Sequence, residues 1–203
     1  MSDVTSELAG DQLTLDEYFA DFDKQFWSTE GRNCWKVERR QTFVEQGSTS
    51  YDAFIRGDWP RALELLDERR PNIQEYYSRA ASHGIRIYRV RVVEEPISAY
   101  LIWQLNSLRQ RSELGENTRI IDPDKVAGLE RRVELPEIIG LGQDVVYQVI
   151  YGSDGAAQRA VRSTDRTNVE HWWKIFTDLY EGGEDMAAFF DRSVAGLRPL
   201  NAR

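Results

Sequence analysis

Apolar residues recur along this chain at two spacings, and the places where one spacing gives way to the other mark out its elements. Leu15, Tyr18, Phe19, Phe22 and Phe26 follow the helical interval, and Thr14 with Glu17 supplies a capping box at the start of that helix. Gly31 closes it. Trp35, Val37 and Arg39 then alternate within a short extended segment, 35–43. A helical turn over 50–55 stops at Gly57. Asp58 caps a longer helical stretch reaching residue 81, with Ala62, Leu66, Ile73, Tyr77 and Ala80 as its apolar line. Pro71 inside that stretch predicts a kink or two abutting helices, and Gly84 ends it.

The second half of the chain reads in the same way. A strand over 85–93 leads into a helix over 97–114, which Gly115 closes before a short strand at 118–122. Residues 124–132 suit a brief helix on a loop. A strand over 144–151, the turn Gly152-Ser153-Asp154-Gly155 and a return strand over 156–163 make a hairpin. Thr167 with Glu170 forms a second capping box, before a helix carrying Val169, Trp172, Trp173, Phe176 and Tyr180. Gly182-Gly183 breaks this helix and a last one follows over 184–195. The first ten residues read as a loose tail. The predicted fold is α+β (mixed α/β), a small central mixed sheet flanked by helices. Residues 1–33 form an N-terminal tail and helical extension, and 34–203 a single α/β domain.

Composition narrows the function classes. A chain of 203 residues fits one domain. It contains no apolar run approaching the roughly 20 residues of a membrane span. The opening Met-Ser-Asp-Val-Thr-Ser-Glu lacks the basic and apolar regions of a secretory leader. One cysteine, Cys34, allows no intrachain disulfide framework, so a cytoplasmic protein away from membranes is expected. The net charge of −8 opposes direct binding to nucleic acid. It is compatible with a local basic pocket that accepts one small anion.

Catalytic signatures are sparse. The two histidines, His83 and His171, have no partners at zinc-ligand spacing. There is no Gly-x-Ser-x-Gly elbow, no Gly-x-Gly-x-x-Gly and no Walker loop. Cys34 beside Trp35 reads as a half-buried small hydrophobe. Neither a metal nor a cofactor is expected.

The strand over 85–93 and the turn behind it carry the chemistry. Arg89 and Arg91 lie two apart, so they leave one face of the strand about 7 Å from each other. Tyr88, Val90 and Val92 supply the opposite, apolar face, and Ile85, Ile87 and Val93 flank the arginines. Glu94, Glu95, Tyr100 and Trp103 crowd the C-terminal end of the strand, where open α/β sheets hold ligands. An unpaired buried guanidinium is very costly. The arginines must therefore reach solvent at the sheet edge, pair structurally with Glu94, Glu95 or Glu38, or line a pocket for a carboxylate or phosphate, which their planar fork suits. Arg39 joins the cluster if its segment packs near the sheet.

The run Trp35-Lys36-Val37-Glu38-Arg39-Arg40-Gln41, the motif Tyr51-x-x-Phe54-x-x-Gly57, Tyr76-Tyr77 and the stretch from Gly84-Ile85-Arg86 through Arg89-Val90-Arg91-Val92-Val93 to Pro96, Ser98 and Tyr100 together resemble an uncharacterised actinobacterial domain-of-unknown-function family. The hairpin residues Val146, Tyr147, Val149, Tyr151 and Gly155 fit the same pattern, and the resemblance covers roughly residues 34 to 182. Such proteins occur beside or attached to helix-turn-helix regulators and near specialised-metabolite clusters, and their fold is similar to that of phospholipase D. The His-x-Lys signature of that enzyme is absent, because neither histidine is followed two residues later by lysine. The resemblance implies a sensing or partner-binding module.

The leading expectation is therefore a non-catalytic cytoplasmic regulatory module. It would bind a small anionic metabolite or a regulator protein through Arg39, Arg89, Arg91, Glu94, Tyr100 and Trp103. The alternative is a small biosynthetic enzyme of specialised metabolism with a Glu/Arg/Tyr pocket, in which Glu94 or Glu95 serves as general acid or base. A third expectation gives the Tyr18/Phe22/Phe26 stripe a role in forming a homodimer.

Overall fold

Alternation of apolar and charged positions gives two central strands, Asn33–Glu38 and Arg86–Val92, one mainly apolar and one charged face, and helices pack on both sides of the sheet. The computed structural model describes residues 7–28 and 31–199, so residues 1–6 of the expected tail lie outside the described residues. Along the chain run β1 (Asp11–Thr14), α1 (Leu15–Ser28), β2 (Asn33–Glu38), α2 (Thr49–Ile55), α3 (Trp59–Glu68), α4 (Arg70–Ser82), β3 (Arg86–Val92) and α5 (Ala99–Glu113). Then follow β4 (Glu116–Ile121), a 3-10 turn at Pro123–Lys125, β5 (Glu137–Leu141), β6 (Val145–Tyr151), β7 (Ala157–Ser163), α6 (Arg166–Glu181), β8 (Glu184–Asp185) and α7 (Met186–Ser193).

The fold is mixed α+β, and its sheet is larger than the patterning predicts. Among the described residues one sheet holds eight strands in the order β1-β7-β6-β5-β2-β3-β4-β8. β2, β3 and β4 are parallel to one another. The arm β5-β6-β7-β1 and the short β8 join antiparallel. Three strands have weak signals in the sequence. β1 offers one apolar residue in four, β8 is two residues long, and β5 follows Pro136 and contains Gly140. The helical extension expected at the N-terminus lies on this same sheet: β1 pairs with β7, and Tyr18 and Phe26 of α1 are buried.

Trp35, Val37, Val90, Val92, Ile138 and Val146 pack on one face beneath Trp172, Ile175 and Phe176 of α6. Trp35 is fully buried, stacks on Phe176 at 5.1 Å and donates from its indole Nε1 to the Gly142 carbonyl at 3.0 Å. Gly140, opposite Trp35 in the pairing of β2 and β5, leaves room for the ring: a Cβ there would lie 2.0 Å from it. On the other face α1 packs over Tyr147 and Val149, while α4 contributes Tyr77 and Ala80 beside Ile85 and Ile87. α5 and α7 pack against the β4 side through Leu101, Leu105, Met186 and Phe189 around Ile120.

Several local signals act as read. Thr14 and Glu17 exchange hydrogen bonds at the start of α1. Asp58 caps α3, and Pro71 sits in the first turn of α4, so the long stretch is two abutting helices; proline's missing N–H costs nothing there. Two expectations are corrected. α6 is capped by Asp165, which accepts from the Asn168 N–H, so Thr167 already lies inside the helix. The brief helix expected over 124–132 is reduced to the 3-10 turn.

Candidate functional site

Parallel pairing of β2 with β3 sets Lys36 beside Arg89 and Glu38 beside Arg91. On β4, Glu116 pairs with Ile87 and Thr118 with Arg89. One face of the sheet centre thus carries a lattice of alternating charges. Arg89 binds Glu116 through Nε at 2.5 Å and Glu38 through NH1 at 2.6 Å, and Lys36 reaches Glu38 at 2.5 Å. The Tyr77 hydroxyl donates to Glu116 at 2.5 Å, and the Thr118 hydroxyl donates to the same carboxylate at 3.0 Å. Burial alone would raise both carboxyls. The adjacent Arg89, Lys36 and Arg91 instead hold Glu38 far below the ordinary range, and Arg89 holds Glu116 down at about 2. Charge-assisted bonds of this kind are what a buried ion must gain to remain charged.

Arg91 is fully buried, and each of its three guanidinium nitrogens donates a hydrogen bond. Nε donates to Gln104 at 2.8 Å, NH1 to the carbonyls of Val92 at 2.7 Å and Glu38 at 3.2 Å, and NH2 to that of Arg40 at 2.6 Å. It ties the ends of two neighbouring strands to α5. Arg39 makes a separate cluster at the strand ends, with Glu94 at 2.6 Å and Glu130 at 2.6 Å.

These contacts position the loop over 39–48, which arches over the charged face. The carboxylate of Glu137 on β5 accepts the backbone N–H groups of Arg39 at 3.0 Å and Arg40 at 2.7 Å. The Gln41 side chain donates to the Val92 carbonyl and accepts from the Glu94 N–H. Val44 donates to the Gly155 carbonyl in the hairpin turn at 2.9 Å. Glu137 follows Glu38 across the β2–β5 pairing, one step past Val37 and Ile138. Burial, and then the Glu38 charge, push the Glu137 carboxyl up to about 7.

Between this loop and α5 lies a polar cleft of about 280 Å³. Lys36, Glu38 and Arg89 form its floor, the loop from Glu45 to Ser48 one wall, and Trp103, Gln104, Ser107 and Arg111 of α5 the other; Arg69, at the junction of α3 and α4, also lines it. Trp103 is fixed by a 2.9 Å bond from its Nε1 to Ser50 and by rings of Tyr51 and Phe54. Tyr100 donates to Glu45 at 2.6 Å, and burial followed by the Glu45 charge raises its hydroxyl.

The structure therefore brings Arg89 and Trp103 of the sequence-derived set into one cleft. Arg91 lies beneath it, Tyr100 holds its wall through Glu45, and Arg39 with Glu94 forms a distinct ion pair. Glu95 lines a different cavity, beside Pro96 and Ile97. Sequence reasoning missed Arg69, Arg111 and Glu137. Trp103, Ser107 and Arg111 stand four apart on one helix, so the helical interval alone placed Arg111 on the Trp103 face. Among the described residues no group of three His, Cys, Asp or Glu side chains is placed to hold a metal ion, and no helix is long and apolar enough to cross a membrane.

A mixed sheet sandwiched by helices, with a charged lattice under a polar cleft, defines an α+β domain with a pocket on its sheet face. The chain belongs to the family described as Domain of unknown function (DUF6879), whose model matches residues 20–191. No curated protein matches it significantly.

Proposed function

We propose that this domain is a non-catalytic regulatory or sensing module of the cytoplasm that binds a small organic anion in the cleft above β2 and β3. One observation carries the reading, the difference between the two levels of the cleft. At the floor, Lys36 and Arg89 are neutralised by Glu38 and Glu116. At the rim, Arg69 and Arg111 line the same space, and among the described residues neither has a carboxylate within ion-pair distance, whereas the neighbouring Arg70 and Arg109 both pair with Glu113. The Arg111 charge acts on the buried Glu116 without contacting it, and a guanidinium fork not bonded to a carboxylate suits an incoming carboxylate or phosphate.

The resemblance to actinobacterial proteins found beside helix-turn-helix regulators, and to a phospholipase D-like fold lacking His-x-Lys, belongs to this reading. It makes a regulator protein the natural recipient of the signal. Glu94, held by Arg39, and Glu95, on a separate cavity, give the enzymatic alternative no site shared with the cleft.

Titration calorimetry with succinate and with inorganic phosphate tests the proposal. Binding to the wild-type protein, weakened about tenfold or more in the Arg69→Gln/Arg111→Gln variant, is the expected result. Neither side chain is bonded to the buried lattice, so the variant's thermal midpoint without ligand should be close to wild type. Failure of both anions to bind at millimolar concentration, or equal binding by the variant, overturns it.

A further inference from the structure

The polar cleft has a neighbour. A second cavity of about 310 Å³ lies on the other side of the same partition, which Lys36, Glu38, Glu45 and Gln46 form for both spaces. Its remaining lining is apolar: Leu15 and Phe19 from α1, Phe43 and Val44 from the loop, and Tyr151 and Ala157 from the hairpin. Phe19 is 59% exposed and Val44 38%, and both belong to the few large hydrophobic residues that the fold leaves open to water. The rest of the α1 apolar stripe is used internally, with the Tyr18 ring 5.4 Å and the Phe22 ring 5.9 Å from the ring of Tyr147. Phe19 is the aromatic of α1 that the core does not claim.

We infer that the two cavities are halves of one site, and that its ligand is an amphipathic organic anion. A carboxylate or phosphate head lies between Arg69 and Arg111, and a hydrocarbon chain or ring crosses the partition to cover Phe19 and Val44. This deepens the proposed function and rests on it. Three features support it. Each cavity alone is at the small end of ligand sites, whereas together they reach the middle of the usual range of roughly 300–1,000 Å³. Arg69 and Arg111 line one half, and the exposed apolar residues Phe19 and Val44 line the other. Within the partition Lys36 and Glu38 belong to the ion lattice and Glu45 is held by Tyr100, whereas Gln46 is exposed; its side chain is the one that turns aside to join the halves, without disturbing the backbone.

The test compares acetate, succinate, octanoate and octanol as probes, by calorimetry, on three proteins: wild type, Arg69→Gln/Arg111→Gln, and Phe19→Ser/Val44→Ser. The expected result is octanoate binding at least about tenfold tighter than acetate, because several buried methylenes each add severalfold. The Phe19/Val44 variant should lose about tenfold for octanoate with succinate unchanged, and the arginine variant should lose both. If succinate binds through the arginines but octanoate is no tighter than acetate, the inference fails and the anion site stands. If no anion binds, the anion site itself fails. Octanol matching octanoate, with no effect of the arginine variant, would show an apolar pocket only and overturn the inference. So would a wild-type dimer that the Phe19/Val44 variant turns into a monomer without changing octanoate affinity, since that face would then bind a second copy of the chain.

Discussion

At about pH 8, replacing Glu137 with glutamine is expected to stabilise this protein, although the residue is buried and hydrogen-bonded. One carboxylate oxygen accepts the N–H groups of Arg39 and Arg40. The other has no hydrogen-bond partner, and neither has Oε2 of the adjacent Glu38, which faces Arg91 at 3.9 Å. The folded carboxyl is raised from its ordinary 4.5 to about 7. An acid held more tightly protonated in the folded state contributes most below its unfolded value, and that contribution is lost as the pH rises through its folded value. At about 1.4 kcal/mol for each tenfold, the loss between pH 4.5 and pH 7 levels off at about 3 kcal/mol. Glutamine keeps the accepting oxygen for the two N–H groups, carries no charge, and turns an amide donor toward Glu38. Glu38 and Glu116 are depressed instead, so their contribution is complete above 4.5 and constant across the window. Titration of His171, lowered by burial, is common to both proteins and cancels in the comparison. Urea unfolding of the two proteins at about pH 5 and pH 8 measures the difference. The variant should exceed wild type by no more than about 1 kcal/mol near pH 5 and by up to about 3 kcal/mol near pH 8. Parallel pH profiles, or a variant less stable at the higher pH, would refute the reasoning.

Two further substitutions probe the scaffold. Arg89→Met should cost about 3–5 kcal/mol in denaturant unfolding, because Glu116 and Glu38 are left buried with less compensation, and Arg89→Met/Glu116→Leu should cost less than the single change; a larger loss in the double variant would contradict this. Gly140→Ala places a methyl 2.0 Å from the Trp35 ring and should destabilise by about 1–3 kcal/mol, read as a lowered thermal midpoint with altered tryptophan fluorescence; an unchanged midpoint would show that the ring has room to move.

Much of this architecture is legible in the sequence, and the limits are physical. A period of two reveals that Arg89 and Arg91 share a face, because that follows from the strand alone. Their partners do not follow, since Glu116 is 27 positions from Arg89 and Gln104 is 13 from Arg91. Register across strands and the docking of α5 decide those contacts, and neither is local. Lys36 and Glu38 look like a solvated alternating strand until β5 and β3 flank them. Glu137 looks like a turn residue after Pro136, because only the pairing of β5 with β2 brings it beside a second carboxylate. Arg69 and Arg111 resemble ordinary helix-end charges, and their meaning comes from the loop over 39–48 that roofs the cleft. The Thr167 cap was misplaced because Asp165, two residues earlier, offers an equally good acceptor.

The pairing of the first strand with the seventh dictates an order of events during synthesis. Leu8 donates to Gln148 across 140 positions, and Tyr147 reaches Asp21 across 126. The partners of β1 and α1 are therefore among the last parts of the sheet to leave the ribosome. Until the hairpin of β6 and β7 emerges, Tyr18 and Phe22 lack the Tyr147 ring, although Phe26 can already stack on Tyr76 of α4, and such long-range closure is slow. The aromatic face of α1 stays incompletely covered while everything between α1 and β6 is being made, and that is the interval in which it is most open to a chaperone.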